Sequence, residues 1–302
     1  MRVFVTGASG HLGSAVVPEL ISAGHEVVGL ARSDASAAAI EKLGAQSRPG
    51  DLSDPDVLRA EAAASDGVIH LAFRHDLMLT GDMAGAAEAD LAALRALADG
   101  LDGSGKPLVG TSGTGILAMG GVVGRPGTEN DAFPGGYRID AENLVAGLTS
   151  RGVRSSIVRL APTVHSALDH HGFITVIVAA ARRNGYAAYV GEGANRWPAV
   201  HTLDAAELYR LALEKAPGGT RLHGAADEGV SFRQIAATVG RNLDIPVRSI
   251  GPDEANDYFG FLGPFAQMDN PTSSAITRDL LGWAPTRPGL IADLNEGHYF
   301  QH

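Results

Sequence analysis

Residues 1–13 read MRVFVTGASGHLG, and this stretch decides the fold. Its first part, Arg2 to Val5, is a β-branched and aromatic run that predicts a buried strand. A glycine-rich turn follows directly, and residues 14–23 then have the composition of a helix. A strand that enters such a turn and continues as a helix is the context in which spaced glycines bind phosphate groups. The stretch therefore predicts a dinucleotide-binding unit at the start of the chain.

The three glycines of this turn have distinct roles in such a unit. Gly7 permits the tight turn, Gly10 lets the backbone approach a pyrophosphate, and Gly13 lets the helix pack closely on the strand. The free N–H groups at the helix start hold the anion. A plain strand–helix turn is the alternative interpretation. The residues expected to hold the nucleotide here are Thr6, Gly7, Ser9, Gly10, His11, Leu12 and Gly13.

The composition limits what the chain can be. It has 302 residues, 45% of them hydrophobic, which is typical of a soluble globular protein with one large core or two lobes. The net charge of −10 argues against nucleic acid or an anionic membrane as the main partner. The absence of cysteine excludes disulfides and cysteine-ligated metals. Because no apolar leader or spanning segment is recognisable, we expect a cytoplasmic protein that acts on a small molecule.

Predicted strands alternate with predicted helices as far as residue 160. The strands are predicted at 26–30, 67–73, 106–110 and 154–160, and the helices at 35–43, 83–101 and 138–149. Repeated strand–helix units form a parallel sheet with helices on both faces and ligands at the carboxyl ends of the strands. We predict an α/β fold with a Rossmann-type doubly wound parallel sheet in residues 1–160. Residues 161–302 mainly form a smaller substrate-binding lobe, although segments near 200–225 are expected to return to the sheet.

Several motifs resemble those of the extended short-chain dehydrogenases/reductases, including members similar to NAD-dependent epimerases and dehydratases. TGASGHLG at 6–13 resembles the extended-type TGxxGxxG, and GDLSD at 50–54 resembles the loop beside the adenine. VIHLAF at 68–73 is similar to the strand end beside the cofactor. RLAPTVH at 159–165 resembles the RPxxVYG segment, and WPAVHTLDAAELYRLAL at 197–213 resembles the FVHVDDxA helix start.

This resemblance covers nearly the whole chain and implies the fold and an NAD(P) cofactor. It implies further cofactor contacts at Asp51, Leu52, Leu71, Ala72 and Phe73. It does not imply one reaction, because the superfamily contains reductases, epimerases, dehydratases, lyases and non-catalytic sensors.

The end of the second predicted strand indicates which nicotinamide nucleotide binds. An acidic residue there holds the ribose hydroxyls of NAD, whereas an arginine suits the 2′-phosphate of NADP. Here Arg32 follows the strand, and Ser33 offers a further donor. The alternative is a solvated Arg32 beside a Ser33 that caps the next helix. We expect NADP, with NAD as the alternative.

The expected catalytic residues depart from the superfamily pattern. That pattern has a Ser or Thr that hydrogen-bonds the carbonyl, a Tyr that transfers the proton, and a Lys four residues after the Tyr. Ser112 falls at the Ser/Thr position, with a turn-capping hydroxyl as its alternative role. Tyr137 is followed four residues later by Ala141, so the Tyr-x-x-x-Lys motif is absent.

A register argument assigns the lysine position to Arg138 and the tyrosine position to Pro134, so the standard proton relay is predicted to be absent. Glu142 and Arg159 are seventeen residues apart, which matches the usual helix and strand lengths of the superfamily. Arg138 then lies four residues before Glu142 on one helix face, where a structural ion pair between the two is the alternative role.

The source of the proton stays open at this point. Tyr137 could reach the substrate while Arg138 supplies positive charge, although an arginine stays protonated and cannot shuttle a proton. Alternatively the proton comes from His165, His201 or a bound water, because the pKa of histidine suits proton transfer. A structural histidine is the alternative for His165, which takes the place of the Tyr in RPxxVYG. The side chains expected to contact the substrate are His75, Trp197 and His201.

The sequence therefore predicts an NAD(P)-dependent oxidoreductase, specifically an NADPH-dependent reductase of a small, fairly apolar carbonyl compound. One alternative is a non-catalytic NADP-binding sensor, and another is an epimerase or lyase that retains its nucleotide. No metal site is predicted. A homodimer is common in the superfamily, and the predicted helix at 83–101 would suit its interface.

Overall fold

The structure is a computed structural model that describes residues 1–301, except for the side chain of Leu79. The strands are β1 (Arg2–Thr6), β2 (Glu26–Ala31), β3 (Gln46–Pro49), β4 (Gly67–His70), β5 (Pro107–Gly113), β6 (Arg154–Leu160), β7 (Thr163–His165), β8 (Ala187–Val190), β9 (Arg196–His201), β10 (Thr220–Gly224), β11 (Asp227–Ser231) and β12 (Val247–Ile250).

The helices between the strands vary from one turn to nineteen residues. They are α1 (Gly13–Ser22), α2 (Asp34–Lys42), α3 (Pro55–Ala64), α4 (His75–Leu79), α5 (Met83–Leu101), α6 (Gly115–Met119), α7 (Ile139–Gly147), α8 (Phe173–Asn184), α9 (Thr202–Lys215), α10 (Phe232–Leu243), α11 (Ala255–Phe259), α12 (Gly263–Ala266), α13 (Ala275–Leu281) and α14 (Leu290–Asn295). Short 3₁₀ turns lie at Leu148–Arg151, Pro252–Glu254, Gly260–Leu262 and His298–Phe300.

Seven strands form one parallel sheet in the order β10-β6-β5-β4-β1-β2-β3. The order reverses between β1 and β4, because β2 and β3 lie on one side of β1 and the later strands lie on the other. The loops that leave the carboxyl ends of β1 and β4 therefore diverge and open a crevice. The predicted Rossmann-type α/β fold is confirmed.

Helices cover both faces of this sheet. On one face, α1 and α9 pack around a core that includes Val16 and Tyr209. On the other face, α3, α5 and α7 pack around a core that includes Leu94 and Val145. These side chains are fully buried, so the sheet is shielded from water on both sides, as parallel sheets generally are.

The rest of the chain divides between the sheet and a smaller lobe. Helix α9 packs on α1, and β10 pairs with β6 from Thr220 opposite Ser156 to Gly224 opposite Leu160. The smaller lobe has its own core, which includes Trp197 and is shared among α8, α10 and the helices that follow. Residues 202–224 thus pack on or join the seven-stranded sheet, while most of the remaining C-terminal chain forms the smaller lobe.

Three details differ from the sequence prediction. The strand predicted at 106–110 continues to Gly113 as β5, because residues 111–113 also pair with β6. The strand predicted at 67–73 ends at His70, because the next three residues leave the sheet and line the cavity described below. Strand β3 was not predicted, because its sequence QSRP is polar and its extended form depends on pairing with β2 at the edge of the sheet.

Candidate functional site

A cavity of about 810 Å³ lies at the carboxyl ends of the parallel strands, between the sheet and the smaller lobe. Segments after β1 and β4 and the end of β5 form its walls on the side of the sheet. Trp197, Phe261 and Phe265 line it on the side of the smaller lobe. A cavity of this size and position is typical of a ligand site in an open α/β sheet.

The glycine-rich turn after β1 has the shape that a bound pyrophosphate requires. Gly7 has a φ of +71°, and a Cβ at that position would lie 2.7 Å from the backbone nitrogen of Ala72. A Cβ at Gly13 would overlap the carbonyl oxygen of Gly7. At Gly10 a Cβ would meet only that oxygen among the described atoms, at 3.2 Å, so this position is open toward the cavity. The residues present therefore fit a dinucleotide.

Most residues predicted to hold the nucleotide lie in the wall of this cavity. They are Gly7, Ser9, Gly10, His11, Leu12, Gly13, Arg32, Asp51, Leu52, Leu71, Ala72 and Phe73. Leu30, Ser36 and Gly50 line it as well and were not predicted.

Thr6 does not line the cavity, so its predicted contact with the nucleotide is wrong. It is fully buried behind the turn, where its Oγ1 lies 2.8 Å from Nδ1 of His70. The same oxygen accepts a hydrogen bond from the backbone N–H of Ala72 at 3.3 Å. Nε2 of His70 lies 3.0 Å from Oδ1 of the buried Asp90. Thr6 therefore joins β1 to the segment after β4.

Ser33 also lies off the cavity and acts as the N-cap of α2, which was its alternative role. Its Oγ accepts a hydrogen bond from the backbone N–H of Ser36 at 3.2 Å. Arg32 does line the cavity, and it is exposed and makes no hydrogen bond or ion pair with another described residue. Its guanidinium is therefore available to a ligand.

Asp51 lines the same cavity as Arg32. Its Oδ1 accepts hydrogen bonds from the backbone N–H and the hydroxyl of Ser53, at 3.0 and 2.9 Å. The backbone hydrogen bond lowers the pKa of Asp51, and the charges of Arg74 and Arg32 act in the same direction. Asp51 is thus a fixed carboxylate near two guanidinium groups.

Ser112 lies at the end of β5 in the cavity wall. Its side chain is buried, with 3% of the residue exposed, and its Oγ has no hydrogen-bond partner among the described residues. A buried hydroxyl without a partner costs free energy, which a bound ligand offering an acceptor or donor would recover. The predicted alternative, a hydroxyl that caps a turn, is not observed.

Tyr137 and Arg138 line the same cavity immediately before α7. Arg138 has a φ of +56°, which is a left-handed conformation that side chains other than glycine rarely adopt. Its Nη2 donates to the carbonyl oxygen of Thr111 at 2.8 Å, and its guanidinium carbon lies 4.2 Å from the centre of the Phe73 ring. Its Nε is buried without a partner among the described residues.

The alternative in which Arg138 pairs with Glu142 is not observed. Glu142 instead accepts hydrogen bonds from Nε of Arg159 at 2.9 Å and from Nε of Arg221 at 2.7 Å. Arg138 precedes α7 as its N-cap, and its side chain contacts Thr111 and Phe73 instead. Glu142 and Arg159, which set the register, are thus direct partners in the interior.

The protonation states near Ser112 follow from burial and from the Arg138 charge. Burial raises the pKa of Tyr137, and the nearby Arg138 offsets this only in part. Desolvation lowers the pKa of His75, and the Arg138 charge lowers it further. Near neutral pH the phenol therefore keeps its proton and the imidazole is mainly neutral.

His165, predicted as an alternative source of the proton, and His201, predicted as a proton source and a substrate contact, do not line the cavity, so its geometry does not support these roles. His165 is buried with its Nδ1 2.9 Å from Oδ2 of Asp293. It follows Val164, which does line the cavity, and successive residues of a strand point to opposite faces. His201 caps α9 by accepting at Nδ1 from the backbone N–H of Leu203 at 3.2 Å. Among the predicted substrate contacts, His75 and Trp197 do lie in the cavity wall.

One group of side chains has the spacing of metal ligands. Ligand atoms of Asp293, Glu296 and His298 lie within 4.8 Å of one another. This group is at the end of α14, and none of its members lines the cavity.

Sequence reasoning missed the methionines of the site. The cavity wall includes Met78, Met83, Met119 and Met268. Methionine is scarce here, with five in 302 residues, so its clustering in one cavity is a specific feature. The four positions are distant in sequence, and only the folded chain brings them together.

Comparison with known proteins gives the class of the protein. A family model described as the NAD dependent epimerase/dehydratase family matches residues 3–132. Uncharacterized protein C2A9.02 of Schizosaccharomyces pombe is 44% identical over 300 residues, which cover 99% of this chain and 100% of that one. The 4-hydroxy-2-methyl-3-oxo-4-farnesyl-3,4-dihydroquinoline-1-oxide ketoreductase of Stigmatella aurantiaca is 27% identical over 72% of this chain and 66% of that one.

A solved structure supports the same fold. The dTDP-glucose 4,6-dehydratase DesIV of Streptomyces venezuelae, with NAD and TYD bound, superimposes with a TM-score of 0.79. The match covers 100% of this chain and 97% of that chain at 18% sequence identity.

The chain belongs to the NAD-dependent epimerase/dehydratase family, and its fold is that of the extended short-chain dehydrogenases/reductases. The resemblance drawn from its motifs is confirmed. This family binds NAD(P) and contains oxidoreductases and epimerases. None of the helices that the structure describes is both long and apolar enough to cross a lipid bilayer.

Proposed function

We propose that the protein is an NADPH-dependent reductase of carbonyl compounds. The observation that carries this proposal is the unpartnered, buried hydroxyl of Ser112, which shares one cavity with Tyr137, Arg138 and the glycine-rich turn. A donor that has no partner in the protein and lies where a substrate would bind is suited to polarise a carbonyl oxygen. The Stigmatella relative is named as a ketoreductase, which is consistent with this class of reaction.

The residues around the turn would hold the cofactor. Backbone N–H groups at the start of α1 would bind the pyrophosphate, and Arg32 would bind the 2′-phosphate of NADP. The exposed guanidinium of Arg32 has no partner among the described residues, and the carboxylate that would hold the ribose of NAD is missing from this position. When bound, the nicotinamide supplies a hydride.

Tyr137 would supply the proton to the carbonyl oxygen as it is reduced. Its raised pKa keeps the phenol protonated, which suits a general acid better than a general base. Arg138 would stabilise negative charge on that oxygen but would not transfer a proton, because a guanidinium does not deprotonate in proteins. The site is therefore suited to reduction more than to oxidation.

The cofactor assignment is tested by fluorescence titrations with NADPH and NADH. The intact protein should prefer NADPH, and Arg32→Ala should weaken NADPH binding roughly tenfold or more, because a charge-assisted hydrogen bond is lost. Binding of NADH should not change. Equal binding of both nucleotides by the intact protein would disprove the assignment of Arg32.

The catalytic assignment is tested by NADPH consumption with a panel of aldehydes and ketones. Ser112→Ala should lower kcat/KM about 100-fold, as expected for the loss of one oxyanion donor. Its Tm should not fall and should rise slightly, because the substitution removes a buried hydroxyl that makes no hydrogen bond in the protein. Ser150→Ala, which removes an exposed hydroxyl in the 3₁₀ turn after α7, is the control and should retain full activity.

The loss of Tyr-x-x-x-Lys favours a second candidate, a cofactor-binding sensor without turnover. Tight NADPH binding with no consumption on any carbonyl would support the sensor. Nucleotide that stays bound through purification would instead indicate an epimerase or lyase.

A further inference from the structure

Four of the five methionines of the chain line the same cavity. Met78, Met83, Met119 and Met268 are here called the methionine wall. We propose that this wall binds the body of bulky apolar carbonyl compounds and adapts to substrates of different shapes. The proposal rests on the proposed function and specifies the substrate class of that site.

The methionine wall is assembled from both lobes. Met78 lies in α4, Met83 begins α5 and Met119 ends α6, and all three belong to the half of the chain that forms the sheet. Met268 follows α12 in the smaller lobe. The methionine wall therefore draws on both the sheet and the smaller lobe, and it shares its cavity with Ser112.

Methionine gives such a wall adaptability. Its side chain is unbranched, has three rotatable bonds and carries a polarisable sulfur that contacts aromatic rings favourably. Valine or isoleucine would instead fix the wall in one shape, because branching at Cβ restricts rotation about χ1. A wall of methionines can thus repack around ligands that differ in branching and ring content.

Aromatic side chains form a stiffer surface in the same cavity. The ring centre of Phe173 lies 5.9 Å from that of Trp197 and 5.6 Å from that of Phe265. Nε1 of Trp197 donates to the carbonyl oxygen of Phe265 at 3.1 Å, which fixes the indole. These contacts hold one side of the cavity in place while the methionines can move.

Two apolar side chains of the cavity are also open to solvent. Met119 is 51% exposed and Phe261 is 42% exposed, although both line the cavity. Large apolar side chains left in water cost free energy, which an apolar ligand lying across them would recover.

The part of the cavity wall that the smaller lobe contributes argues against a phosphorylated substrate. The residues that the smaller lobe contributes to the wall include no Lys, Arg, Asp or Glu among those described. Arg196, at the start of β9, does not line the cavity. Its Nε and Nη2 donate to the two carboxylate oxygens of Asp269 at 3.1 and 2.9 Å. A nucleotide sugar would need a cationic partner for its pyrophosphate, so an uncharged apolar body fits this surface better.

The first test uses straight-chain aldehydes from propanal to decanal as substrates with NADPH. Burying one CH₂ group contributes about 0.8 kcal/mol, so kcat/KM should rise about fourfold per added carbon until the wall is filled. UDP-glucose should not be oxidised with NADP. A kcat/KM that is flat or falls with chain length would overturn the proposal.

Variants of Met119 test the wall directly, because its exposure leaves folding insensitive to substitution. Met119→Gln keeps the length of the side chain but makes it polar, and should lower kcat/KM for decanal about fivefold more than it lowers kcat/KM for propanal. Met119→Leu stays apolar and should lower kcat/KM for decanal less than Met119→Gln does. Ser150→Ala, at an exposed residue that lies outside the cavity, is the control that should leave both values unchanged. Equal effects of Gln and Leu on both aldehydes would contradict the role of the wall.

Quenching of tryptophan fluorescence separates this proposal from the proposed function. Trp197 lines the cavity, whereas Trp283 is buried in the core under α9, so quenching by decanal that disappears in Trp197→Phe reports binding in the cavity. If decanal binds but NADPH is not consumed with any carbonyl compound, the binding role of the methionine wall is supported and the reductase proposal fails. If small polar carbonyls are reduced and decanal neither binds nor reacts, the wall proposal fails and the reductase proposal stands.

Discussion

Glu142 carries its charge in the protein interior, where 1% of its side chain is exposed. Burial alone would raise its pKa, but hydrogen bonds and charges from Arg159 and Arg221 outweigh this and the pKa of Glu142 is lowered. Arg159 is itself fully buried in β6, and Arg221 comes from β10. One carboxylate therefore holds α7 to two neighbouring strands of the sheet.

We predict that Glu142→Gln lowers the free energy of unfolding by about 3 kcal/mol, because it leaves the Arg159 guanidinium buried without a counter-charge. Urea unfolding measures the change. Asp56→Asn is the control, since it breaks an exposed ion pair with Arg59 and should cost less than about 0.5 kcal/mol. Equal destabilisation by the two substitutions would refute the importance of this buried pair.

At the scale of elements, the glycine at the start of α1 decides how close the helix can lie to the turn. We predict that Gly13→Ala destabilises the fold and abolishes nucleotide binding, because the added Cβ would overlap backbone atoms of Gly7 and Ala8. Gly147→Ala is the matched control. Position 147 has no atom within 4 Å of the added Cβ and lies at the exposed end of α7, so alanine should stabilise by roughly 0.5 kcal/mol.

Thermal unfolding and NADPH titration of the two variants check this prediction. If Gly13→Ala binds NADPH as tightly as the intact protein, the close packing of α1 on the turn is not needed for binding.

Elements with a strong local pattern were predictable from the sequence. Helix α5 and strand β6 have the bounds expected, because a long Ala/Leu segment and a β-branched run each favour one structure. Edge strand β3 was not predictable, because its polar residues become a strand only by pairing with β2. Local sequence therefore determined the centre of the sheet better than its edge.

The candidate site was predictable where a motif is continuous in the chain. The glycine-rich turn after β1 is one example, and Ser112 at the end of the clear strand β5 is another. The methionine wall was not predictable, since its four members lie in separate segments. The resemblance gave the position of His165 in the chain but not the face of β7 on which its side chain lies. The side chain is buried against Asp293, which is more than a hundred residues away in sequence.

At the scale of the whole molecule, the pKa values of four histidines shift in the same direction. Burial lowers the pKa of His11, His75, His201 and His223, the last to about 4. The folded protein thus binds fewer protons than the unfolded chain once the pH drops below the ordinary histidine value of 6.5. Stability is therefore fully present above pH 6.5 and is lost as the pH falls toward 4.

We predict that the Tm decreases between pH 7 and pH 5, before most carboxylates titrate, and that His223→Gln makes this decrease smaller. The contribution of His223 is on the order of 3 kcal/mol between its two pKa values. Calorimetry at several pH values measures it. A Tm that is constant over this range in the intact protein would show that these histidines keep their ordinary pKa in the fold.

Strand β10, which closes one side of the sheet by pairing with β6, is synthesised sixty residues after its neighbour. A nascent chain that has just left the ribosome with β6 carries an unpaired strand edge and lacks α9, whose Tyr209 and Leu208 fill the core above α1. A fragment of residues 1–160 would expose the edge of β6 and the face of α1 that α9 covers, so we expect the nucleotide-binding half to need residues up to 224 before it folds stably. The seven-stranded sheet is therefore complete only after the residues up to Gly224 have been synthesised.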